Sequence, residues 1–405
     1  MEEYVITGIG LYDSMGRNVE QCWQEMLKGE TAVKHFDWPE DNPKLFPKTH
    51  KALLINVGAR CDVSNTECPP VFAEHWKNWD TYNRTTMLTV NEAMVDSGLT
   101  STAVGAIFGS AAASNSVKNE ILGLIDAGIS RCSPRRALNL ASYFHSTQCA
   151  AVYKITGPTF TVVSTCTTGL NAIETAITYM KADDKLDAMI VGAADWLVGP
   201  MMMYWFQTLG ALSSEPCRPF DKSRDGINLG EGSATLIIEP LSKAQARGAK
   251  IYGTIKSMVN STQWDSDTSP DPEGKATVAC MQEVLDKAGI TADDIGYVNA
   301  HATGTVIGDI IEYNAISKLF PGRVVVSHKG QLGHSLVPSG IIELIYTMLV
   351  LRDNISPPNV GLTDKIGDGE VNLITETTKL DNPKYAIKNS FGFGGRNSSL
   401  VYKKW

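Results

Sequence analysis

Short apolar runs rich in β-branched residues alternate with longer amphipathic segments along this chain, and that alternation constrains the fold more than any other feature. Runs of this length between turn residues predict strands, and the intervening segments carry apolar residues at helical spacing. Strands that alternate with helices indicate α/β layers. In the first half the predicted strands cover residues 4–7, 106–109, 160–163, 188–191 and 235–238.

The second half repeats this plan, although no sequence repeat links the two halves. Apolar spacing predicts one helix over 278–288 and another through Ile341, Ile345, Met348 and Leu349. Between them, β-rich runs predict strands at 295–300 and 324–327. The same order of elements therefore recurs along the chain.

At 405 residues the chain exceeds the size at which a single core usually stops growing. We therefore expect two packed lobes rather than one. The charged segment 243–250 reads as a connection, which places the division near Pro240. The expected halves are 1–240 and 241–405.

Charge and hydropathy exclude several classes of function. Lys and Arg number 36 against 44 Asp and Glu, and no basic run stands out, so the sequence gives no reason to expect nucleic-acid binding. No apolar run of about 18 residues occurs, and the first residues lack a positive leader region, which predicts a cytoplasmic protein that does not enter a membrane. The eight cysteines are scattered without a CxxC pair, as expected for reduced thiols.

One cysteine lies in a setting that suggests chemistry. Cys166 follows the strand predicted at 160–163, and Leu170, Ile173 and Ile177 then continue at helical spacing. A thiol at a helix N-terminus is activated because the unpaired amides there lower its pKa. The flanking small residues favour this reading over that of a buried structural thiol.

Two histidines lie in segments of similar character. His301 ends a predicted strand and precedes small and hydroxylated residues, and His334 follows Gly333. A lone histidine is more often a core or surface residue, but two in such loops favour a Cys-His-His site for acyl-thioester chemistry. Metal binding is the rival reading of such a set, and no ligand pair at a recognisable short spacing supports it.

A glycine-dense segment, 389–395, links two predicted strands near the C-terminus. Glycines let backbone amides point into a site, so one amide here and that of Cys166 could form an oxyanion hole. A simple glycine hairpin fits the local sequence equally well.

Together these segments resemble the elongating type of β-ketoacyl-acyl carrier protein synthase, in the thiolase superfamily, over nearly the whole chain. The family motifs concerned are T-A-C-[TS]-[ST]-G, C-R-P-F-D-x-x-R-D-G, H-G-T-x-T-x-x-G-D-x-x-E, K-x-x-x-G-H and N-S-F-G-F-G-G. They correspond in that order to 164–169, 217–226, 301–312, 329–334 and 389–395. The resemblance implies a thiolase-like α/β fold, in which two similar halves form a five-layered α-β-α-β-α core.

The resemblance also implies a two-step reaction that needs no cofactor or metal. Cys166 accepts an acyl chain from an acyl carrier protein; malonyl-carrier protein then loses carbon dioxide and its carbanion attacks the acyl-enzyme. By the same resemblance, His301 and His334 donate hydrogen bonds to the malonyl thioester oxygen. Lys329, paired with Glu343, fixes the histidine network.

Further site residues follow from the same resemblance. The amides of Cys166 and Phe393 hold the oxyanion, and Phe393 gates the acyl pocket. The residues expected at the gate are Phe391, Gly392, Phe393, Gly394 and Arg396, and those expected at the substrate are Ala111, Ala112, Phe206, Thr303 and Thr305.

The chain departs from the family pattern at several positions. Thr165 replaces the usual Ala, Ala302 and Gly304 replace the usual Gly and Ser, and Arg396 replaces the usual Thr. Small residues from Ala111 onward stand where fatty-acid enzymes often place a bulky aliphatic, which predicts longer or stiffer acyl chains. A fatty-acid, polyketide or polyene pathway is compatible with these changes.

The resemblance implies two kinds of partner. Acidic carrier proteins are expected to dock on cations at the pocket entrance, with Lys77, Arg131, Arg135 and Arg136 as candidates. A dimer, with itself or with a related subunit, is expected around the strand at 160–163.

Two alternatives remain at this stage. A silent partner subunit of the chain-length-factor kind typically lacks the cysteine, whereas Cys166, His301, His334 and Lys329 are all present. A thiolase would share the fold but generally employs a second cysteine in place of the two-histidine motifs.

Overall fold

The computed structural model of the chain describes residues 2–37, 55–110, 138–139, 141–263, 271 and 273–405. Its strands are β1 (Tyr4–Asp13), β2 (Lys34–His35), β3 (Val57–Ala59), β4 (Val104–Gly109), β5 (Thr159–Val162), β6 (Ala188–Asp195), β7 (Leu229–Gly230), β8 (Gly232–Pro240), β9 (Gly253–Thr262), β10 (Ile295–Asn299), β11 (Val324–Val326), β12 (Ile355–Ser356), β13 (Asn372–Leu373), β14 (Thr378–Lys379), β15 (Tyr385–Gly392) and β16 (Arg396–Lys404).

The α-helices of the described residues are α1 (Val19–Leu27), α2 (Thr81–Ser97), α3 (Phe144–Tyr153), α4 (Thr168–Ala182), α5 (Pro200–Thr208), α6 (Leu241–Ala246), α7 (Lys275–Ala288), α8 (Val306–Leu319), α9 (Lys329–Leu332) and α10 (Ser339–Asp353). Short 3₁₀ helices cover Pro70–Phe72, Trp76–Asn78 and Ala292–Asp294. None of these helices is long and apolar enough to cross a membrane.

Eleven strands form one continuous sheet, ordered β13-β11-β10-β15-β16-β9-β1-β8-β6-β4-β5. Its two halves repeat one topology: β5-β4-β6-β8-β1 corresponds strand for strand to β11-β10-β15-β16-β9. In each half the first three strands pair in parallel and the last two join antiparallel. The halves meet where Tyr4 to Ile6 of β1 pair with Gly253 to Ile255 of β9. The expected pair of similar halves is therefore confirmed.

The helices divide into three layers around the two half-sheets. Helices α4 and α10 pack against each other and against strands of both half-sheets, whereas α2 and α3 cover the first half and α7 covers the second, with α8 packed on α7. Helix α10 is buried on every side from Ser339 to Leu351, which explains its nearly continuous apolar sequence. The result is the five-layered α-β-α-β-α arrangement.

The predicted elements fall where the sequence placed them, with ends moved by a few residues. The strands β1, β4, β5, β6 and β8 include the runs predicted in the first half, apart from Val163, which follows β5. Because parallel strands carry their loops to one edge of the sheet, the ends of β5, β10 and β11 converge beside the inner helices α4 and α10. The candidate site lies at this convergence.

Candidate active site

Cys166 lies in a tight turn between β5 and α4. Thr165 has φ +54°, a left-handed conformation rare for a β-branched residue, and it turns the chain sharply before the thiol. The amide of Ser164 donates to Oγ1 of Thr168 at 2.8 Å, and that hydroxyl donates to the carbonyl of Thr165 at 2.6 Å. The small polar residues around Cys166 therefore hold the turn through their own hydrogen bonds.

The two predicted histidines converge on this thiol. Nε2 of His334 lies 3.1 Å from Sγ of Cys166, and the ring centroids of His301 and His334 are 5.3 Å apart in an edge-to-face arrangement. Gly333, with φ +67°, turns the chain after α9 so that His334 enters the site. All three side chains are buried.

Two buried carboxylates hold the His301 loop. Glu312 accepts hydrogen bonds from the amides of His301 at 2.8 Å and Ala302 at 2.7 Å. Asp309 accepts from the amides of Thr303 at 3.0 Å and Gly304 at 3.1 Å. Both acids belong to the histidine-loop motif, but sequence alone assigned them no task. The structure shows that they fix the backbone on which His301 stands.

A buried network of charges stands behind the histidines. Oε1 of Glu343 lies 2.7 Å from Nζ of Lys329, which confirms the expected contact between them, and Oε2 lies 2.7 Å from Nζ of Lys388. Both lysines lower the pKa of Glu343 against the effect of burial, chiefly through their charge. Sequence reasoning missed Lys388. Its signal was a lysine within the apolar run of β15, directly before the Asn389 motif.

Burial dominates the protonation of the site. It raises the pKa of the Cys166 thiol to about 12, although the nearby Lys329 opposes this. A backbone amide at the start of the helix also lowers this pKa, as expected, but desolvation outweighs that contribution. Burial also lowers the pKa of His334 to about 3 and that of His301 well below its usual value, with Lys329 adding to both shifts. The resting site holds a neutral thiol and two neutral imidazoles.

The glycine-dense segment closes the site from the other side. It forms the end of β15 and a hairpin to β16, with positive φ at Gly394 and Gly395. A Cβ atom on Gly392 would lie 2.4 Å from Oγ1 of Thr165 and 3.4 Å from the Cys166 amide nitrogen, so only glycine lets this strand approach the nucleophile. The segment is therefore both a glycine hairpin and a part of the site, two readings that the local sequence left open.

Two aromatic contacts tie this segment to predicted substrate residues. The ring centroid of Phe391 lies 5.9 Å from that of His301. Phe393 is 36% exposed and stacks on Phe206 with centroids 6.4 Å apart. Oγ1 of Thr165 contacts the Phe393 carbonyl at 3.5 Å. Phe206 of α5 and the hairpin tip therefore lie together above Cys166.

The remaining predicted residues fall into two groups. The first group is described by the structure. In it, Oγ1 of Thr303 and Oγ1 of Thr305 lie 3.2 Å apart beside His301. Arg396 is exposed at the start of β16, and Lys77 is exposed in a 3₁₀ helix. The other group lies outside the described residues and comprises Ala111, Ala112, Arg131, Arg135 and Arg136.

The geometry of Cys166, His301 and His334 suits two kinds of chemistry, metal binding and thioester chemistry. The ligand atoms of Cys166, His301 and His334 all lie within 4.8 Å of one another, a convergence that would also suit a metal ion. Short sequence spacing could not show this, since the residues come from three distant segments. The lysines and the glycine hairpin around the triad instead fit thioester chemistry.

Comparison with known proteins distinguishes these uses. Residues 1–244 match the family described as Beta-ketoacyl synthase, N-terminal domain, and residues 252–363 match Beta-ketoacyl synthase, C-terminal domain. Among curated relatives, the 3-oxoacyl-[acyl-carrier-protein] synthase 2 of Vibrio harveyi is 31% identical over 422 residues, covering 99% of this chain and 98% of the relative. The enzyme of the same name from Rhizobium meliloti (strain 1021) is 29% identical over 439 residues, covering 100% and 99%.

Solved structures share the whole fold. A type II polyketide synthase ketosynthase, solved in complex with its acyl-carrier protein and bound to a hexaketide, superposes with a TM-score of 0.87 at 23% identity; the match covers 100% of this chain and 99% of that chain. A beta-ketoacyl synthase from Burkholderia phymatum STM815 gives 0.85 at 24% identity, with both chains covered completely. Fold and site thus define a condensing enzyme with a thiolase-like architecture.

The chain belongs to the β-ketoacyl synthase family. It is an acyltransferase that forms β-ketoacyl thioesters by condensation. The alternative of a silent partner subunit gains no support from these relatives.

Proposed function

We propose that this enzyme loads an acyl chain onto Cys166 and condenses it with malonyl-acyl carrier protein, giving β-ketoacyl-acyl carrier protein and carbon dioxide. The observation that carries the proposal is the 3.1 Å contact between Sγ of Cys166 and Nε2 of His334, with His301 directly beside it. This places a nucleophile and two hydrogen-bonding imidazoles around one small volume.

In the first half-reaction the Cys166 sulfur attacks the acyl thioester, and the carrier thiol leaves. A thiol whose pKa is raised to about 12 must lose its proton as it attacks, and neutral His334 is in position to accept it. The proton then passes to the departing carrier thiolate. The amides of Cys166 and Phe393 receive the oxyanion, a role supported by the close approach of Gly392 to the Cys166 amide.

In the second half-reaction the malonyl carboxylate leaves as carbon dioxide, and its bonding electrons form an enolate. His301 and His334, both held neutral by burial, each offer one N–H to the developing oxyanion. The enolate carbon then attacks the acyl carbonyl, and the Cys166 thiolate leaves and takes one proton from the solvent. Atoms and charge balance without a cofactor.

The substrate path is proposed to run past the aromatic gate. Phe393, exposed at the hairpin tip, closes the pocket against Phe206, while Phe391, Gly392, Gly394 and Arg396 set its movement. The hydroxyls of Thr303 and Thr305, which are 3.2 Å apart, bind the carrier's thioester arm in this proposal. Ala111 and Ala112 remain the proposed pocket floor. The division of the chain into 1–240 and 241–405 assigns Cys166 to one half and both histidines to the other.

Two partners complete the proposal. The carrier protein docks at the pocket entrance through Lys77, which is exposed, and through Arg131, Arg135 and Arg136. The polyketide ketosynthase of the same fold was solved in complex with an acyl-carrier protein. A second synthase subunit, identical or related, pairs along β5. Among the described residues this strand lies at the edge of the eleven-stranded sheet, it is half-buried throughout, and exposed Val163 follows it.

Removing the nucleophile tests this function. Cys166→Ala is expected to abolish condensation of acyl- and malonyl-carrier substrates, while Cys149→Ala, a matched loss of a buried thiol in the outer layer, should keep it. Condensation by Cys166→Ala at the rate of the control would overturn the proposal.

A further inference from the structure

Lys388 is a fully buried cation that the proposed mechanism does not yet use. It lies on β15 opposite Asn299 of β10, and its ammonium contacts Oε2 of Glu343 at 2.7 Å and donates to the carbonyl of Asn389. Lys329 occupies the other carboxylate oxygen of Glu343 at the same distance. Within the described residues, Glu343 is the one carboxylate in ion-pair contact with either lysine.

This arrangement does not serve stability. Glu343 contacts both ammonium groups but compensates only one of them. Glu312 also acts on Lys388, but it makes no ion-pair contact with it among the described residues, and burial raises the pKa of Glu312, which disfavours its charge. Burying a cation without full compensation is unfavourable. Ala386, two positions earlier on the same face of β15, packs in the central apolar core, so an apolar side chain suits this face. A buried charge that opposes folding is a sign of a functional role.

The positive charge lies close to the histidine loop. Lys388 donates to the carbonyl of Asn389, whose side-chain amide donates to Oε1 of Glu312 at 3.2 Å, the oxygen that also accepts a hydrogen bond from the amide of His301 at 2.8 Å. After burial itself, Lys329 is the largest influence lowering the pKa of His301 and of His334, and Lys388 acts in the same direction on both. Each cation disfavours an imidazolium beside it and favours any negative charge that appears there. Condensation requires both effects, because the imidazoles must donate N–H groups to a developing enolate.

We propose that Lys388 is a second positioning residue of the condensation site: together with Lys329 it places positive charge behind His301 and His334, which favours the enolate that forms beside them. This inference rests on the proposed function. It adds a residue that acts through the histidines rather than on the substrate.

The charged groups around Lys388 come from three other elements. Glu343 of α10 and Glu312 of α8 raise its pKa, while burial and Lys329 of α9 lower it, and the outcome is a pKa of about 8. Lys388 is therefore largely protonated at pH 7. The buried imidazoles nearby, which include His328 with its pKa lowered by burial to about 3, are neutral at that pH and add no charge.

Lys388→Met tests the inference at pH 7, because methionine fills much of the space without the charge. Malonyl-carrier decarboxylation is expected to fall about tenfold or more, while the unfolding midpoint stays the same or rises. Alkylation of Cys166 by iodoacetamide at pH 7 should also slow several-fold, since a nearby cation favours the thiolate. Lys256→Met is the matched control. Lys256 lies on β9 and forms an ion pair with Glu3, and its loss should change neither rate. Lys388→Gln provides a second neutral variant should the methionine fail to fold.

The outcomes separate this inference from the function on which it rests. A wild-type rate of decarboxylation in a folded Lys388→Met or Lys388→Gln protein overturns the role of Lys388. The role is also overturned if the rate falls only because less of the protein is folded, so that the rate per folded molecule is unchanged. A purely structural ion pair would behave in that way. His334→Ala is measured alongside: if it too retains the full rate, the proposed function fails, whereas a slow His334→Ala beside a fast Lys388→Met defeats this inference alone.

Discussion

Nε2 of His334 lies 3.1 Å from Sγ of Cys166, although the two residues are 168 positions apart and belong to different halves of the chain. The contact depends on the packing of α4 against α10, since Cys166 precedes α4 and His334 precedes α10. The central helix layer therefore aligns the nucleophile with its proton acceptor. Changes to either residue can be tested one half-reaction at a time.

Loss of His334 should affect decarboxylation more than binding. His334→Ala removes one of two N–H donors to the enolate, and losing one such donor typically costs about 10²–10³ in rate. The measurement is release of carbon dioxide from malonyl-carrier protein by the folded variant. A rate close to wild type would contradict the assigned role.

Neutralising Glu343 should destabilise the protein strongly. Glu343→Gln leaves Lys329 and Lys388 as two uncompensated buried cations, a kind of change that costs about 3–5 kcal/mol. Denaturant unfolding measures the loss. Glu239→Gln, which removes a buried carboxylate paired with the partly exposed Arg247, should cost less.

A double variant tests whether charge causes the loss of stability in Glu343→Gln. Adding Lys388→Met to Glu343→Gln removes one of the stranded cations and should recover part of the lost stability. No recovery would mean that the loss has another origin than charge.

The approach of Gly392 to the nucleophile turn should matter for activity. Gly392→Ala places a Cβ 2.4 Å from Oγ1 of Thr165, so the loop or the hydroxyl must move. We expect condensation to fall about tenfold or more because the Phe393 amide moves with the loop. Adding Thr165→Ala removes the clashing hydroxyl and should restore much of the rate. Full activity of Gly392→Ala alone would show that the close approach of Gly392 to the Cys166 turn is unimportant.

Acid sensitivity should come in part from His145, which lies outside the site. Its ring packs against Phe108 and Phe144, neither ring nitrogen has a hydrogen-bond partner among the described residues, and burial lowers its pKa to about 3. The unfolded chain therefore binds a proton between about pH 6.5 and 3 that the folded protein does not, so stability falls as pH falls through this window. The slope for one histidine is at most about 1.4 kcal/mol per pH unit.

His145→Leu is expected to remove that contribution. The variant should be more stable at neutral pH by about 1–3 kcal/mol, because two unsatisfied nitrogens leave the core, and its stability should fall less steeply toward acid. Urea unfolding between pH 7 and 5 measures both effects. Parallel stability curves for the variant and the parent would contradict the account.

The sequence was sufficient to predict what depends on local pattern. The strand-turn-helix around Cys166, the two histidine loops and the repeated order of elements all follow from short stretches of residues. Phe206 and Phe393, which were each expected at the acyl pocket, stack on each other, although their contact was not predicted.

What escaped prediction depends on residues far apart in the chain. A lysine in a strand such as Lys388 is ordinarily an exposed residue, and only the packing of β15 on α10 shows that Glu343 meets it. The protonation of Cys166 was misjudged for a similar reason, since desolvation by the whole surrounding structure outweighs a helix terminus.

The most direct test of the central claim is to locate the acyl group. The enzyme is incubated with an acyl-carrier protein alone, digested, and its peptides are weighed by mass spectrometry. We predict one acyl adduct, on the peptide that contains Cys166, and none in Cys166→Ala. An adduct on another residue, or condensation that proceeds without any adduct on Cys166, would contradict the account.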